Sequence, residues 1–260
     1  MIYKIKDLLL LVENQIIEFN DIIYGRFSQF EQKEGQETDN YLKFNINDVQ
    51  IKINGKERRL KAKVIKTDIY AIINNVIAYI INDEKNIYMH SVVVSNSEQG
   101  ILIVGNFGQG KTTLANEFLK YGYKINSSDQ TWLGIKNSEL YQILGSRFYF
   151  ENDKIRFLNK ENIKQKIKIN KIIRIVGLCD NGITSINEQD NFYYKTKQIS
   201  DYCNWTNIVP LFTDDVCLYN IQKFTKKFLV KISNAKLYNA RGAKEEIVRK
   251  LKWKRKKWKI

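Results

Sequence analysis

The stretch that decides the fold is residues 100–122, which read Gly100-Ile-Leu-Ile-Val-Gly-Asn-Phe-Gly-Gln-Gly-Lys-Thr-Thr-Leu-Ala-Asn-Glu-Phe-Leu-Lys-Tyr-Gly122. The apolar run Ile101–Val104 predicts a buried strand. The next residues, 105–112, fit the phosphate-binding pattern G-x-x-x-x-G-K-[ST], and we name them the phosphate loop. Apolar residues then recur at helical spacing from Thr113 until Gly122, a natural helix stop. Strand, loop and helix in this order predict an α/β nucleotide-binding core.

Each position of the phosphate loop has a chemical role. Glycines let the backbone turn its N–H groups toward phosphate oxygens, and a helix that starts near Lys111 adds its positive dipole end. Lys111 would contact the outer phosphates, and the Thr112 hydroxyl would ligate Mg²⁺ beside them. The alternative interpretation of residues 105–112 is a glycine-rich turn that binds no ligand. The predicted cofactors are ATP and Mg²⁺, although the loop binds phosphates and not the base, so GTP and pyrophosphate are alternative donors. The predicted binding residues are Gly105, Asn106, Phe107, Gly108, Gln109, Gly110, Lys111, Thr112 and Thr113.

The composition is that of a folded protein. A chain of 260 residues is long enough for one compact domain with a lobe, or for two small domains. Aromatic residues are plentiful and proline occurs once, so little of the chain resembles a flexible linker. The formal net charge of +15 accompanies heavy use of Lys, Ile and Asn, which is typical of AT-rich coding. The charge alone is therefore not a sign of a polyanionic partner.

The cysteines and the apolar segments bound the cellular context. Cys179, Cys203 and Cys217 form no C-x-x-C pair, and the one histidine lies far from them, so we expect no structural zinc and a reduced cytosol. The apolar run Leu8–Val12 is too short to span a bilayer and has no features of a signal peptide. We expect a cytoplasmic protein with no membrane partner.

The pattern along the chain predicts three regions: a β-rich N-terminal lobe at 1–66, an α/β core around the phosphate loop at 67–251 and a basic tail at 252–260. Asn54-Gly55 predicts a hairpin turn in the lobe. Asp68 is expected to cap a helix over residues 69–81, although its isoleucines also allow a strand. A lysine-rich segment before residue 172 is expected to be a solvated loop or surface helix. Other elements are predicted as strands at Ile87–Val94, Tyr123–Asp129, Arg147–Phe150 and Ile172–Leu178, and as a helix at Ala243–Leu251.

Two side chains outside the phosphate loop are catalytic candidates. His90, the only histidine, would face the nucleotide if its strand neighbours the loop strand; the alternative is a partly buried, hydrogen-bonded histidine. Asp129 follows Lys111 by eighteen residues, enough to descend the helix and return on a strand. Its carboxylate could ligate Mg²⁺ or take a proton, or it could be an ordinary turn residue. Arg147 could neutralise charge on a transferring phosphoryl group, but we expect a surface or strand-edge cation. The pair Asp214-Asp215 is expected to lie in a surface turn.

Three segments resemble, in order and spacing, the core of the HPr kinase/phosphorylase superfamily: Met89–Val94, Gly100–Ala115 and Tyr121–Asp129. The resemblance covers roughly residues 68–135. It implies an α/β fold with a P-loop core of the type shared with phosphoenolpyruvate carboxykinases, here behind a β-rich N-terminal lobe. It also implies phosphoryl transfer to serine, at one site lined by His90, Lys111, Thr112 and Asp129.

The chain departs from this family at Ser128. The family has an Asp-Asp pair here, and its first aspartate is usually taken as the general base. Three explanations are consistent with this departure. Asp129 or His90 accepts the proton of the acceptor hydroxyl instead, positioning and electrostatics catalyse the transfer without a base, or the chain binds nucleotide without efficient turnover. The family segment that contacts protein substrate and drives phosphorolysis is not recognisable after Asp129, so phosphorylase activity is not predicted.

Two functions are consistent with these observations. The first is an ATP- and Mg²⁺-dependent kinase that modifies a hydroxyl, expected to be a serine of a small protein or ribosomally made peptide. A basic surface would favour an acidic acceptor. The alternative is a nucleotide-switched protein that binds nucleic acid through its basic tail, where Trp253 and Trp258 could stack on bases or instead pack on the protein. A homo-oligomer is compatible with either function.

Overall fold

A computed structural model of the chain describes residues 1–61, 66–97, 99–151, 154–164, 166–179, 183–191, 194, 198 and 235–251. The basic tail at 252–260 lies outside the described residues, as do Asp214-Asp215, Cys203 and Cys217. Cys179, by contrast, is described, and its thiol is free and exposed.

The N-terminal part forms a mixed sheet of six described strands. They are β1 (Ile2–Ile5), β2 (Leu8–Asn14), β3 (Glu31–Lys33), β4 (Tyr41–Phe44), β5 (Asp48–Ile53) and β6 (Lys56–Lys61), in the order β3-β1-β2-β4-β5-β6. A short 3-10 helix (Ile17–Phe19) and helix α1 (Asn20–Phe27) connect β2 to β3. The hairpin turn at Asn54-Gly55 is confirmed, because both residues have the positive φ values, 50° and 78°, that a two-residue turn of this hand requires.

Helix α2 (Lys66–Ile81) covers this sheet. It confirms the predicted helix but begins three residues earlier than Ile69, so Asp68 lies in its first turn and is not its cap. Apolar residues at helical spacing, including Ile73 and Ile77, are fully buried in the same core as the strands. Each isoleucine buried in this way stabilises the fold by about 1.5–3 kcal/mol.

The second sheet contains the phosphate loop. Its strands are β7 (Asn86–His90), β8 (Val92–Ser95), β9 (Gly100–Val104), β10 (Lys124–Ser127), β11 (Gln130–Lys136), β12 (Glu139–Gly145), β15 (Ile167–Cys179), β16 (Ser185–Glu188) and β17 (Lys236–Ala243). They lie in the order β10-β8-β9-β15-β12-β11-β7, with β17 beside β15 and β16 beside β17. Within this sheet, β9, β15 and β17 are parallel to one another, and the other described pairs are antiparallel.

The remaining elements surround this sheet. A separate hairpin pairs β13 (Phe148–Glu151) with β14 (Lys154–Phe157), and the helices are α3 (Lys111–Leu119), α4 (Lys160–Lys164) and α5 (Lys244–Leu251). Leu114 and Phe118 of α3 pack with Ile247 of α5 in one buried cluster over the parallel strands. The fold is mixed α/β. Within the described residues, no helix has both the length and the apolarity to cross a bilayer.

One prediction of local structure is wrong, and another holds only in part. The predicted strand Ile87–Val94 is broken at Ser91, because β7 pairs with β11 whereas β8 pairs with β9 and β10. The lysine-rich segment is not simply a loop or helix, since it contains β14, α4 and the first residues of β15. Strand β15 also begins before the predicted Ile172, because its first residues find a partner in β12.

Two chain segments change partners at one place, which we name the strand corner and define as residues 90–91 and 127–131. Strand β7 passes into β8 through Ser91, and β10 passes into β11 through Ser128 and Asp129. The Ser91 N–H donates to the Asp129 carbonyl at 3.1 Å, and the Thr131 hydroxyl donates to the Ser91 carbonyl at 3.3 Å. These bonds hold the two crossing segments together.

Candidate functional site

The phosphate loop leaves the carboxyl end of β9 and enters α3. Ligands of open α/β sheets bind at this end of the parallel strands. Gly108 and Gly110 have φ values of 76° and 86°, which are strained for any other residue. A Cβ at Gly110 would also lie 2.6 Å from Cδ1 of Leu178 in β15. Glycine is therefore required at both positions, and the loop packs closely against β15 at Gly110.

Helix α3 begins without a side-chain cap. Its first intrahelical hydrogen bond runs from the Leu114 N–H to the Gly110 carbonyl at 2.9 Å. Gly110 is the N-cap residue and has no side chain that could accept a hydrogen bond from the N–H groups of the first turn. The N–H groups of the first turn consequently point toward the loop as donors, at the positive end of the helix dipole. Phe107 at the loop tip is 77% exposed. This combination of donors, dipole and an open tip suits a phosphate group.

The Lys111 ammonium lies inside the loop. Its Nζ donates to the carbonyls of Gly105 and Asn106, both at 2.9 Å, and the residue is only 7% exposed. Burial lowers the pKa of Lys111 to about 8, although the charge of Asp129 acts in the opposite direction. Two neutral carbonyls compensate a buried cation only partly, and an anionic phosphate would compensate it better.

Asp129 is an anion held between two basic side chains. Its carboxylate contacts the Arg26 guanidinium, and Oδ1 lies 3.1 Å from Nδ1 of His90. Burial alone would raise the pKa of Asp129, but Arg26 and His90 together hold it well below its usual range. Its φ of 70° is uncommon for a residue other than glycine. A carboxylate with so low a pKa is a weak proton acceptor near neutral pH.

His90 ends β7 and is 6% exposed. Its strand does not neighbour the loop strand as expected: His90 lies opposite Gln130 of β11, and only the continuation in β8 pairs with β9. The strand corner nevertheless brings His90 to Asp129. When Nδ1 of a neutral imidazole donates its proton to a carboxylate, Nε2 has the accepting lone pair.

Arg26 was missed by the sequence analysis. It comes from α1 in the N-terminal part, is 1% exposed, and its guanidinium lies 4.1 Å from the ring centroid of Tyr70 and 4.6 Å from that of Phe148. The chain has 43 basic residues, and nothing in the local pattern distinguishes this one. The N-terminal part therefore contributes directly to the arrangement around Asp129.

Ser128 and Arg147 are two further polar residues, and only Ser128 belongs to the strand corner. The Ser128 hydroxyl is buried and has no hydrogen-bond partner among the described residues, while its N–H donates to the Ser146 carbonyl at 3.2 Å. Arg147 points elsewhere: its Nε donates to the Leu158 carbonyl at 3.0 Å, and its guanidinium lies 5.6 Å from the Phe157 ring centroid. No described contact joins Arg147 to Asp129.

The oxygen-bearing side chains near the phosphate loop suit Mg²⁺ only together with phosphate oxygens. In the described part of the chain, no three His, Cys, Asp or Glu side chains converge to hold a metal. Mg²⁺ usually takes one or two protein oxygens and fills its octahedron with phosphate oxygens and water. The half-buried Thr112 in the first turn of α3 and the anionic Asp129 offer oxygens of this kind.

The buried charge of Lys111 predicts a stability that depends on pH. Because its pKa falls from 10.5 to about 8 on folding, the unfolded chain binds this proton more tightly between those values. The free energy of unfolding should therefore rise with pH in this interval, by about 3 kcal/mol, and the destabilisation should be complete below pH 8. Lys111→Met removes this titration. Urea unfolding of both proteins across this interval measures the difference, and parallel pH profiles would contradict the assignment.

Comparisons with known proteins give a distant similarity of fold. No protein-family model matches the chain, and no curated protein matches its sequence. Solved structures do match, among them the Hpr(Ser) kinase/phosphatase from Coxiella burnetii. It is 11% identical, the match covers 63% of this chain and 92% of that chain, and the TM-score is 0.35. At this level of similarity, the function has to be argued from the residues of the site.

Proposed function

We propose that the chain is an ATP- and Mg²⁺-dependent kinase that transfers the γ-phosphoryl group to a hydroxyl, most simply a serine of a small protein or ribosomally made peptide. The carrying observation is the Lys111 ammonium, buried in the phosphate loop at the uncapped start of α3. It lies near enough to Asp129 for that carboxylate to raise its pKa against the effect of burial. One site thus combines donors for phosphate with an acid–base pair.

The loop and Lys111 would bind the phosphates of ATP. Replacing the two carbonyl partners of Lys111 by phosphate oxygens would turn neutral hydrogen bonds into charge-assisted ones. Thr112 and Asp129 would hold Mg²⁺, which supplies positive charge to the transferring group when bound. A carboxylate has about four lone-pair sites, so Asp129 can contact the metal or a water on it while keeping Arg26 and His90.

His90 is better suited than Asp129 to take the proton of the acceptor hydroxyl. The low pKa of Asp129 makes it a poor base, but its carboxylate orients His90 through Nδ1. Such base help contributes about a hundredfold or more where it operates, and loose phosphoryl transfer needs less of it. Ser128 would then line the site without taking the proton.

The direct test is to incubate the protein with Mg²⁺, γ-labelled ATP, and small proteins and peptides from the source organism. We expect label on a serine, and competition with unlabelled GTP or pyrophosphate identifies the preferred donor. MgATP should also stabilise the fold, by about 2.7 kcal/mol at a hundred times its dissociation constant. ATP binding without any labelled acceptor would instead favour the nucleotide-switched binder, whose basic tail lies outside the described residues.

A further inference from the structure

A cavity of about 350 Å³ opens between the N-terminal sheet and α4. One wall is the segment from the end of α1 into β3, and the other is Arg147 with α4. None of these residues belongs to the phosphate loop or to the cluster around Asp129. Its charged lining residues are Glu31, Arg147, Lys160 and Lys164, and the polar side chains Gln29 and Gln32 also line it.

The charge of the lining is predominantly positive. Among the described lining residues, Arg147, Lys160 and Lys164 are opposed by one carboxylate, Glu31, which already has a partner in Lys33 at 2.6 Å. Lys160 and Lys164 are four residues apart, so they lie on the same side of α4, and both are exposed. The cavity should therefore attract anionic groups and repel cationic ones.

The opposite wall offers backbone hydrogen bonds. Strand β3 ends its sheet, and among the described strands it pairs with β1 alone. Its residues Glu31 and Gln32 are exposed and line the cavity. An edge strand of this kind presents unpaired N–H and C=O groups to which an extended peptide can be added. Cations on one side and an open strand edge on the other match a peptide with acidic side chains.

The cavity adjoins the candidate site through two chain connections. Arg147 directly follows Ser146, whose carbonyl accepts the Ser128 N–H. On the other wall, Gln29 comes three residues after Arg26, which contacts Asp129. A peptide in the cavity would therefore have a short path to the strand corner.

We propose that this cavity binds an extended acidic segment of the molecule that accepts the phosphoryl group. Carboxylates of the segment contact Arg147, Lys160 and Lys164, and its backbone pairs with the edge of β3. Only the role of the peptide as acceptor rests on the proposed function. The binding itself does not require nucleotide, so it can be tested separately.

The test is fluorescence anisotropy with a labelled peptide of alternating Glu and Ser, without nucleotide, at low and high salt. The double variant Lys160→Glu/Lys164→Glu reverses two cavity charges. The matched control, Lys61→Glu/Lys136→Glu, changes the net charge equally at two exposed sites away from the cavity. We expect affinity to fall about tenfold or more in the cavity variant, to change little in the control, and to weaken with salt in the wild-type protein.

Equal affinities of the two double variants would overturn the proposal. So would a Gln-Ser peptide, or free glutamate, that binds as tightly as the Glu-Ser peptide, because the acidic character or the peptide character would then be irrelevant. Thermal unfolding verifies that both variants fold. Wild-type protein that binds the peptide but labels no acceptor would contradict the proposed function alone, and lost peptide specificity would contradict the cavity alone.

Discussion

Lys111→Ala is expected to lower phosphoryl transfer by about a hundredfold to a thousandfold, the effect of removing one preorganised charge donor from a reaction centre. The Nζ of Lys111 is buried where the loop meets the first turn of α3, with the carbonyls of Gly105 and Asn106 as its partners among the described residues. Its removal takes away a full positive charge from the phosphates and leaves the loop backbone in place. The loss should appear in the transfer rate at saturating MgATP as well as in nucleotide affinity.

The variant should still fold. A lysine whose pKa falls to about 8 on burial destabilises the native state at neutral pH, so replacing it removes an unfavourable desolvation along with two hydrogen bonds. Lys124→Ala is the matched control, because Lys124 is exposed on β10 and its loss changes the net charge equally. Label transfer and urea unfolding should be measured on both variants. Equal transfer rates in the two would exclude Lys111 from the reaction.

The parts of the site that are local in sequence could be predicted. The strand, loop and helix around Lys111 are encoded within some twenty consecutive residues, and β9 and α3 match that prediction. The same holds for helix α2, whose apolar spacing outweighed the strand preference of its isoleucines. In both cases the signal lies in neighbouring residues, and the sheet or core that the element packs on only reinforces it.

Features that depend on distant pairing could not be predicted. The break at Ser91 lies between two apolar stretches, Ile87–Met89 and Val92–Val94, and it exists only because the residues on its two sides pair with different strands. Arg26 lies about a hundred residues before Asp129, and their contact requires α1 to pack beside the strand corner. No sequence periodicity around Arg26 or Asp129 indicates that these two residues contact each other. The left-handed backbone of Asp129 is likewise a consequence of the turn between β10 and β11.

Asp129→Asn is expected to destabilise the fold by about 3–5 kcal/mol, because it leaves the Arg26 guanidinium buried without a counter-charge. Arg26 is 1% exposed, and its aromatic neighbours Tyr70 and Phe148 cannot replace the carboxylate. Glu139→Gln is the control: it breaks the ion pair with Lys168 at the surface, which should cost less than about 1 kcal/mol. Urea unfolding at pH 7 measures all three proteins. Equal destabilisation by the two substitutions would contradict a buried ion pair.

A double-mutant cycle separates the pair from its surroundings. Arg26→Met with Asp129→Asn removes both charges and keeps the volumes similar, so the double variant should be more stable than the sum of the single losses predicts, by about 1–3 kcal/mol. The pH dependence gives an independent check. Since the pKa of Asp129 is lowered on folding, its stabilisation should be complete above its unfolded value of about 3.9 and be lost as the pH falls below it. In Asp129→Asn that acid-dependent loss should be smaller. Single losses that simply add would mean that Arg26 and Asp129 act independently, and Arg26 would then have no part in positioning His90 through that carboxylate.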